Sequence, residues 1–97
     1  MRHRAAQDCI LIGYRTMKNI LRIVVDSSSI RSIGYDRSDR LLDIEYPSGD
    51  VYRYFEVPAW EYENFMKAES KGTYLNREFK SAGYEYVKLA PPNRRAS

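Results

Sequence analysis

The residue run Tyr52-Arg53-Tyr54 has the types and the spacing that would suit nucleic-acid binding. Alternate residues of a strand point to the same face, so both tyrosine rings can stack on unpaired bases while cationic side chains nearby contact phosphates. The other candidate residues for such a site are Lys71, Tyr74, Asn76, Arg77 and Lys80. The simpler alternative is that the tyrosines are cross-strand packing with their hydroxyls in water.

Three carboxylates near this run are of the type that general acid–base catalysis uses: Asp43, Glu45 and Glu56. They alternate along strands that we expect to face water, and a solvated acidic strip explains them more simply. The serines that follow Asp26 have no base or glycine-flanked elbow beside them, so we expect turns onto the backbone instead of a nucleophile. The sequence therefore predicts a protein that is not an enzyme.

Cysteine and histidine are too scarce for the chemistry that depends on them. The 97 residues include one cysteine, Cys9, and one histidine, His3. We therefore expect no disulfide framework, no metal site, no catalytic Ser-His or Cys-His pair, and no cofactor. The apolar run at residues 9–14 is too short to span a membrane, and no small-residue cleavage site follows it. The expected setting is cytoplasmic, without a membrane partner.

The positive charge of the chain is concentrated at its ends. The formal net charge is +3, but residues 26–89 contain nine Lys or Arg against twelve Asp or Glu, a net of −3. Attraction to RNA phosphates would therefore have to come from the ends or from a local patch. A tyrosine-rich, acidic body that carries Trp60 also suits a basic or amphipathic protein partner, which keeps a protein-interaction module open as the alternative function.

A β-hairpin at residues 41–57 must position these side chains. Two runs of β-branched, aromatic and leucine residues flank Pro47-Ser48-Gly49-Asp50, a composition typical of a tight turn. A turn centred on Ser48-Gly49 predicts the opposed pairs Tyr46–Val51, Glu45–Tyr52, Ile44–Arg53, Asp43–Tyr54 and Leu42–Phe55. The predicted core face is Leu42, Ile44, Tyr46, Val51, Arg53, Phe55 and Val57. A slip of one residue would bury two carboxylates without partners, so this register is favoured.

The remaining elements follow from periodicity and from start and stop signals. A strand at residues 30–35 and a polar turn precede the hairpin. Pro58 fits the first position of a helix with Phe65 on its packing side, and Gly72 offers its end. Thr73 can cap a short second helix, and residues 84–89 alternate as a last strand. The predicted class is α+β: a small antiparallel β-meander with one principal α-helix, a short second helix and a closing strand.

The ends of the chain are expected to lie outside this domain. Residues 1–24 are predicted as an N-terminal extension, either an addition from an upstream start codon before Met17 or an ordinary helix over residues 10–21. The domain is predicted over residues 25–89. Residues 90–97 contain two prolines and two arginines and are predicted as a disordered tail.

Three motifs together resemble the KTSC domain, which is named after a C-terminal extension of some lysyl-tRNA synthetases and also occurs as short free-standing bacterial and phage proteins. The motifs are DSSSI-x-x-IGYD at residues 26–36, G-x-x-Y-R-Y-F-x-V-P at residues 49–58, and S-x-G-x-Y-x-N at residues 70–76. The resemblance covers residues 25–89, almost the whole predicted domain.

The resemblance implies a binding role more than a mechanism. The family's central Tyr-x-Tyr corresponds to Tyr52 and Tyr54, and the synthetase connection points to RNA as the ligand. We therefore expect a small non-enzymatic binding domain that takes RNA on the Tyr-x-Tyr face of its sheet. A protein partner remains the alternative.

Overall fold

Residues 17–89 are described by the structure, a computed structural model, and they form a five-stranded antiparallel sheet with helices on one face. The strands are β1 Ile23–Val24, β2 Ser32–Asp36, β3 Leu41–Glu45, β4 Val51–Tyr54 and β5 Tyr86–Leu89. The helices are α1 Ala59–Lys67 and α2 Lys71–Tyr74. A π-helical turn at Leu75–Phe79 and a 3-10 turn at Lys80–Ala82 extend α2 into what we call the second helical segment, residues 71–82. The predicted fold class is confirmed.

The core lies between one face of the sheet and the helices. The strands pair in chain order, β1-β2-β3-β4-β5, so every neighbour is antiparallel and the sheet is a meander. Ile33, Leu42 and Ile44 are fully buried on the helix side. Phe65 of α1 and Phe79 of the second helical segment cover them, with ring centroids 5.4 Å apart. Their burial supplies most of the apolar contact between sheet and helices.

The predicted register of the β3–β4 hairpin is wrong by one residue. In the structure Leu42 lies opposite Tyr54, and Asp43 lies opposite Arg53. Because side chains alternate along a strand, this slip turns Tyr54 toward the core and Arg53 toward the opposite face. Phe55, predicted at the sheet–helix interface, is buried but lies outside the core cluster.

The turn itself accounts for the shift. The Tyr46 carbonyl accepts a hydrogen bond from the Gly49 N–H at 2.8 Å, and the Tyr46 N–H donates to the Asp50 carbonyl at 2.9 Å. Gly49 has φ +98°, a conformation that glycine adopts without steric cost. The loop therefore contains three residues, with the glycine as a bulge, where a two-residue turn was predicted. The extra residue moves β4 along β3 by one position.

The register buries Asp43 and half-buries Glu45, and both carboxylates have partners. Arg53 donates from Nε and Nη2 to the two oxygens of Asp43 at 2.7 and 2.8 Å, and neither residue is more than 1% exposed. Glu45 Oε1 accepts a hydrogen bond from the Ser32 hydroxyl at 2.7 Å. Charged hydrogen bonds of this kind offset the cost of desolvating a carboxylate, so the register that the sequence disfavoured is stable.

The first helix is shorter than predicted at both ends. Pro58 is the N-cap of α1, with extended backbone, and is not its first helical residue. At the other end Ala68 leaves the helical conformation at ψ 135°, four residues before the predicted stop at Gly72. The chain therefore turns between α1 and the second helical segment without a glycine.

Gly72 has a different function, inside α2. A Cβ atom at this position would lie 2.7 Å from the Ser29 hydroxyl, so glycine permits the helix to approach the loop before β2. The helix begins after Ser70, whose hydroxyl accepts a hydrogen bond from the Thr73 N–H at 3.3 Å. Ser70 is thus the cap, and the prediction that Thr73 has this role is wrong.

The described part of the N-terminal stretch lies against the sheet face opposite the helices. A Cβ atom on Gly34 would lie 2.5 Å from the Leu21 carbonyl oxygen, so glycine in β2 permits this crossing. Lys18 forms ion pairs with Asp36, the last residue of β2, and with Asp39, which lies in the turn that follows. These contacts and the pairing of β1 with β2 join residues 17–25 to the domain.

Of the helix proposed for residues 10–21, residues 18–21 are not helical. Three further predictions lie outside the described residues. They are the part of that helix before residue 17, the upstream-start alternative for residues 1–16 and the disordered tail at residues 90–97.

Candidate functional site

A cleft of about 580 Å³ opens on the helix side of the sheet, between the hairpin, β5 and the end of the second helical segment. We call it the tyrosine cleft, because five of the residues that line it are tyrosines. The lining residues are Tyr46, Ser48, Asp50, Tyr52, Tyr54, Phe79, Lys80, Gly83, Tyr84 and Tyr86. The corrected hairpin register creates this surface, since it places the side chains of Tyr52 and Tyr54 on the helix side.

The rings of the cleft support one another. The Tyr52 centroid lies 5.5 Å from that of Tyr46 and 5.6 Å from that of Tyr86. Tyr54 contacts Tyr86 at 5.2 Å and Phe79 at 4.8 Å, edge to face with the latter. Such contacts hold aromatic side chains in fixed orientations. Tyr86 is 56% exposed, so its ring is accessible to solvent and is not part of the buried core.

Two phenol groups of the cleft, those of Tyr46 and Tyr54, form a hydrogen-bonded pair. The hydroxyl oxygens of Tyr46 and Tyr54 lie 3.3 Å apart and share a hydrogen bond. Burial raises the pKa of both phenols above the ordinary value. Two protonated hydroxyls carry two protons, and only one can lie between the two oxygens. The second can therefore be donated to an acceptor in the cleft.

Among residues 17–89, Lys80 and Asp50 are the charged residues that line the cleft, and Lys88 lies beside Asp50. Lys80 lines the cleft and is exposed. Lys88 is exposed on β5, and its Nζ lies 3.6 Å from Oδ2 of Asp50 at the cleft's end. The β3 carboxylates Asp43 and Glu45 are on the opposite face of the sheet, where Glu45 also has Arg22 Nε at 3.9 Å. The electrostatic environment of the cleft is thus more favourable to an anion than the predicted register allowed.

Of the predicted site residues, the cleft brings together Tyr52, Tyr54 and Lys80. Tyr54 is only 6% exposed, so it contributes an edge and a hydroxyl to the cleft wall while its ring belongs to the core. Arg53 is on the other face of the sheet and buried with Asp43, which removes it from any contact with a ligand in the cleft.

The other four predicted residues do not line the cleft. Lys71 donates a hydrogen bond from Nζ to the Ala68 carbonyl at 3.0 Å. Asn76 and Arg77 are exposed on the second helical segment. Tyr74 faces a separate groove between α1 and that segment, which Trp60 also lines. The predicted site residues therefore do not form one site. They are divided among the tyrosine cleft, the groove between α1 and the second helical segment, other parts of the surface of that segment, and the interior.

A buried carboxylate holds one wall of the cleft in place. Glu61 of α1 is 3% exposed and accepts hydrogen bonds from the hydroxyls of Tyr74 at 2.5 Å and Tyr84 at 2.7 Å. Burial, followed by the bond to Glu61, raises the pKa of Tyr74 to about 12 and raises that of Tyr84 as well. Tyr84 is a wall of the cleft, so its orientation depends on this bond between α1 and the segment before β5.

Sequence reasoning missed the other tyrosines of the cleft, Tyr46, Tyr84 and Tyr86, and the acid Asp50. A signal for two of them existed, because Tyr84 and Tyr86 alternate along the last predicted strand and share one of its sides. What was lacking was the pairing of β5 with β4, which brings Tyr86 opposite Tyr54. Strand order between distant segments is not encoded in local periodicity.

Two further properties of residues 17–89 bear on the chemistry that they can perform. In this part of the chain no group of three or more His, Cys, Asp or Glu side chains is arranged to hold a metal ion. The helices in the same range are all too short or too polar to cross a bilayer. The side chains that line the cleft are suited to ring stacking, hydrogen bonding and contact with an anion.

Comparisons with known proteins agree on one kind of domain. The profile of the KTSC domain matches residues 26–86. An uncharacterized protein of Stutzerimonas stutzeri is 38% identical over 68 residues, which cover 70% of this chain and 96% of that protein. A lysine–tRNA ligase of Nostoc punctiforme is 38% identical over 55 residues, 57% of this chain and 10% of the ligase. The crystal structure of a KTSC domain protein from Yersinia pestis, 36% identical, superposes with a TM-score of 0.69 and covers 74% of this chain and 100% of its own.

Proposed function

The chain belongs to the KTSC domain family, as its three motifs predicted, and on that premise we propose that it is a non-catalytic module that binds unpaired RNA in the tyrosine cleft. The cleft, with Tyr86 exposed at its mouth and lysines beside it, replaces the flat Tyr-x-Tyr face that the sequence suggested as the binding surface.

The observation that carries this proposal is the corrected register of the hairpin. In the predicted register Asp43 and Glu45 would lie beside the tyrosine rings, where their negative charges would repel RNA phosphates. With Asp43 paired to Arg53 on the opposite face, that repulsion is removed from the ligand side of the sheet. The tyrosines remain on the ligand side, and Lys80 takes the place of Arg53 as a cation that can contact phosphate.

Stacking on the exposed ring supplies the base contact. Aromatic side chains stabilise an unpaired base by ~1–3 kcal/mol each, with little preference for the base identity. Tyr86 offers its ring to solvent while Tyr52 and Tyr54 support it from within the sheet. Stacking on Tyr86 requires an unpaired base, because the bases of a duplex are already stacked on one another, and the cleft of about 580 Å³ offers space beside this ring.

The relatives give the proposal a context. Some proteins similar to this chain are named lysine–tRNA ligases, and the tRNA in that name is an RNA. The similar segment accounts for only 10 or 11% of those enzymes, so their activity is not transferred to this chain. A domain attached to an RNA-handling enzyme is consistent with an auxiliary contact to RNA.

The experiment is a salt titration of binding to a short unpaired RNA and to a duplex of the same sequence. Each phosphate contact with a single strand contributes about −0.7 to the slope of log K against log salt. We expect measurable binding of the unpaired RNA only, and a slope reduced by about 0.7 in Lys80→Gln. Lys67→Gln is the matched control, because Lys67 is an exposed lysine outside the cleft. Equal slopes for both variants, or equal affinity for the duplex, would contradict the proposal.

A protein partner is the second candidate function, and one observation favours it. Trp60 is 59% exposed beside the groove between α1 and the second helical segment. Exposed tryptophans are frequent anchors of protein interfaces. A contact of that kind would depend on Trp60 and would persist at salt concentrations that dissociate RNA. Loss of a partner in Trp60→Ala, with RNA affinity unchanged, would assign the two functions to two surfaces.

A further inference from the structure

Granted the RNA site proposed above, we infer that Asp50 makes the tyrosine cleft selective for guanine. Asp50 is the only carboxylate among the ten residues that line the cleft, and it lies where the hairpin turn meets the aromatic walls. The other ionisable groups that line this space are a lysine and the phenols. A carboxylate in a site for an anionic polymer therefore needs a ligand group that donates to it.

The turn fixes the backbone of this residue. The Asp50 carbonyl accepts a hydrogen bond from the Tyr46 N–H at 2.9 Å, and the Asp50 N–H donates to the Ser48 hydroxyl at 3.3 Å. The bulged Gly49 before it, with φ +98°, sets the direction in which the strand leaves the turn. The hairpin thus holds the backbone of Asp50 at the edge of the cleft without a ligand.

The carboxylate itself remains accessible. The side chain of Asp50 is 40% exposed, and its cationic neighbour Lys88 is 54% exposed at 3.6 Å, beyond a direct hydrogen bond. Oxygens in this state can accept new hydrogen bonds without breaking a buried pair. Asp43 contrasts with it, because both of its oxygens are occupied by Arg53 and the residue is fully buried.

The chemistry of the bases then decides which one fits. Guanine presents two adjacent donors, N1–H and the 2-amino group, which match the two oxygens of a carboxylate. Cytosine and adenine offer one amino donor next to a ring acceptor that the second oxygen repels. Uracil has a single N–H between two carbonyl oxygens. A phosphate is repelled by Asp50 and is directed toward Lys80 or Lys88 instead.

The test compares binding of the full chain to short unpaired oligouridines that contain one central guanine, inosine, adenine, cytosine or uracil. A two-pronged base contact discriminates by roughly 5- to 150-fold, so we expect guanine to bind that much more tightly than uracil. Inosine lacks the 2-amino donor, and its affinity should fall between the two. In Asp50→Asn the ratio of guanine to uracil affinity should approach one. The ratio is the readout because removing a negative charge alters the affinity of every RNA equally.

Asp26→Asn is the matched control, since Asp26 is exposed and does not line the cleft. It should keep the preference for guanine. Equal affinity of the parent protein for all five RNAs would overturn the inference and leave the proposed RNA site standing. A guanine preference that survives in Asp50→Asn would also overturn it. Failure of every RNA to bind would instead remove the proposed function and this inference with it.

Discussion

Asp43 and Arg53 face each other across β3 and β4 and form a buried ion pair joined by two hydrogen bonds. The register that places these two residues opposite each other also decides the face on which the other β3 and β4 side chains lie. Because the Asp43–Arg53 pair lies on the sheet face away from the helices, the neighbouring residues Tyr52 and Tyr54 point toward the helices and line the cleft. The buried pair and the cleft are thus two consequences of the same strand register.

Removing one member of this pair should be costly. Arg53→Met leaves Asp43 in the interior without its charged donor, and we expect a loss of about 3–5 kcal/mol in the free energy of unfolding. The double variant Asp43→Leu/Arg53→Met removes both charges and should recover a large part of that loss. Urea denaturation of the parent and both variants measures this. A single variant within about 1 kcal/mol of the parent would show that the pair contributes little to the stability of the fold.

Tyr54 should behave as a core residue. It is 6% exposed and packs edge to face on Phe79. We expect Tyr54→Ala to destabilise the protein by about 3–5 kcal/mol, as much as Phe65→Ala, through loss of buried ring contacts. Tyr54→Phe loses only the hydrogen bond to Tyr46 and should cost ~0.5–1.5 kcal/mol. Urea midpoints of the three variants check this. A mild effect of Tyr54→Ala would contradict the core position of this ring.

Stability should fall at alkaline pH because of the phenols that bond Glu61. The pKa of Tyr74 is about 12 in the folded protein, against an ordinary value near 10. The unfolded chain therefore loses this proton first, and the stabilisation present below pH ~10 is lost progressively as pH rises toward about 12.

The comparison that isolates this effect is Tyr74→Phe, measured by urea unfolding from pH 8 to the highest pH at which the fold persists. The variant should be less stable than the parent at neutral pH, and its stability should decline less steeply above pH ~10. Identical slopes for the two proteins would mean that Tyr74 titrates with an ordinary pKa and that its bond to Glu61 does not contribute.

The sequence was sufficient for the elements whose signals are local. Alternation identified β2 to β5, and the residues around Pro58 and Phe65 identified α1, because these patterns depend only on which side chains are apolar. The two-residue strand β1 had no such signal, since it exists through its pairing with β2 and through contacts of the preceding residues with Gly34.

The error that mattered for the site came from the turn. Pro47-Ser48-Gly49-Asp50 is compatible both with a two-residue turn and with a three-residue loop, and the hydrogen bonds that join Tyr46 to Gly49 and Asp50 distinguish them. The sequence-based preference assumed that a buried carboxylate would lack a partner. In the observed register Arg53 lies opposite Asp43 and is its partner. The predicted register instead assigned these two residues to different faces of the sheet.

The most direct test of the RNA site is the affinity of an unpaired eight-nucleotide RNA of mixed sequence for the parent protein, Tyr86→Ala and Trp60→Ala, measured by fluorescence anisotropy at fixed salt. Tyr86 and Trp60 are aromatic residues of similar exposure, 56 and 59%, and only Tyr86 lines the tyrosine cleft. We predict that Tyr86→Ala weakens binding by ~1–3 kcal/mol, about 5- to 150-fold, while Trp60→Ala binds like the parent. Equal affinities of the two folded variants, or no binding by the parent, would contradict the account.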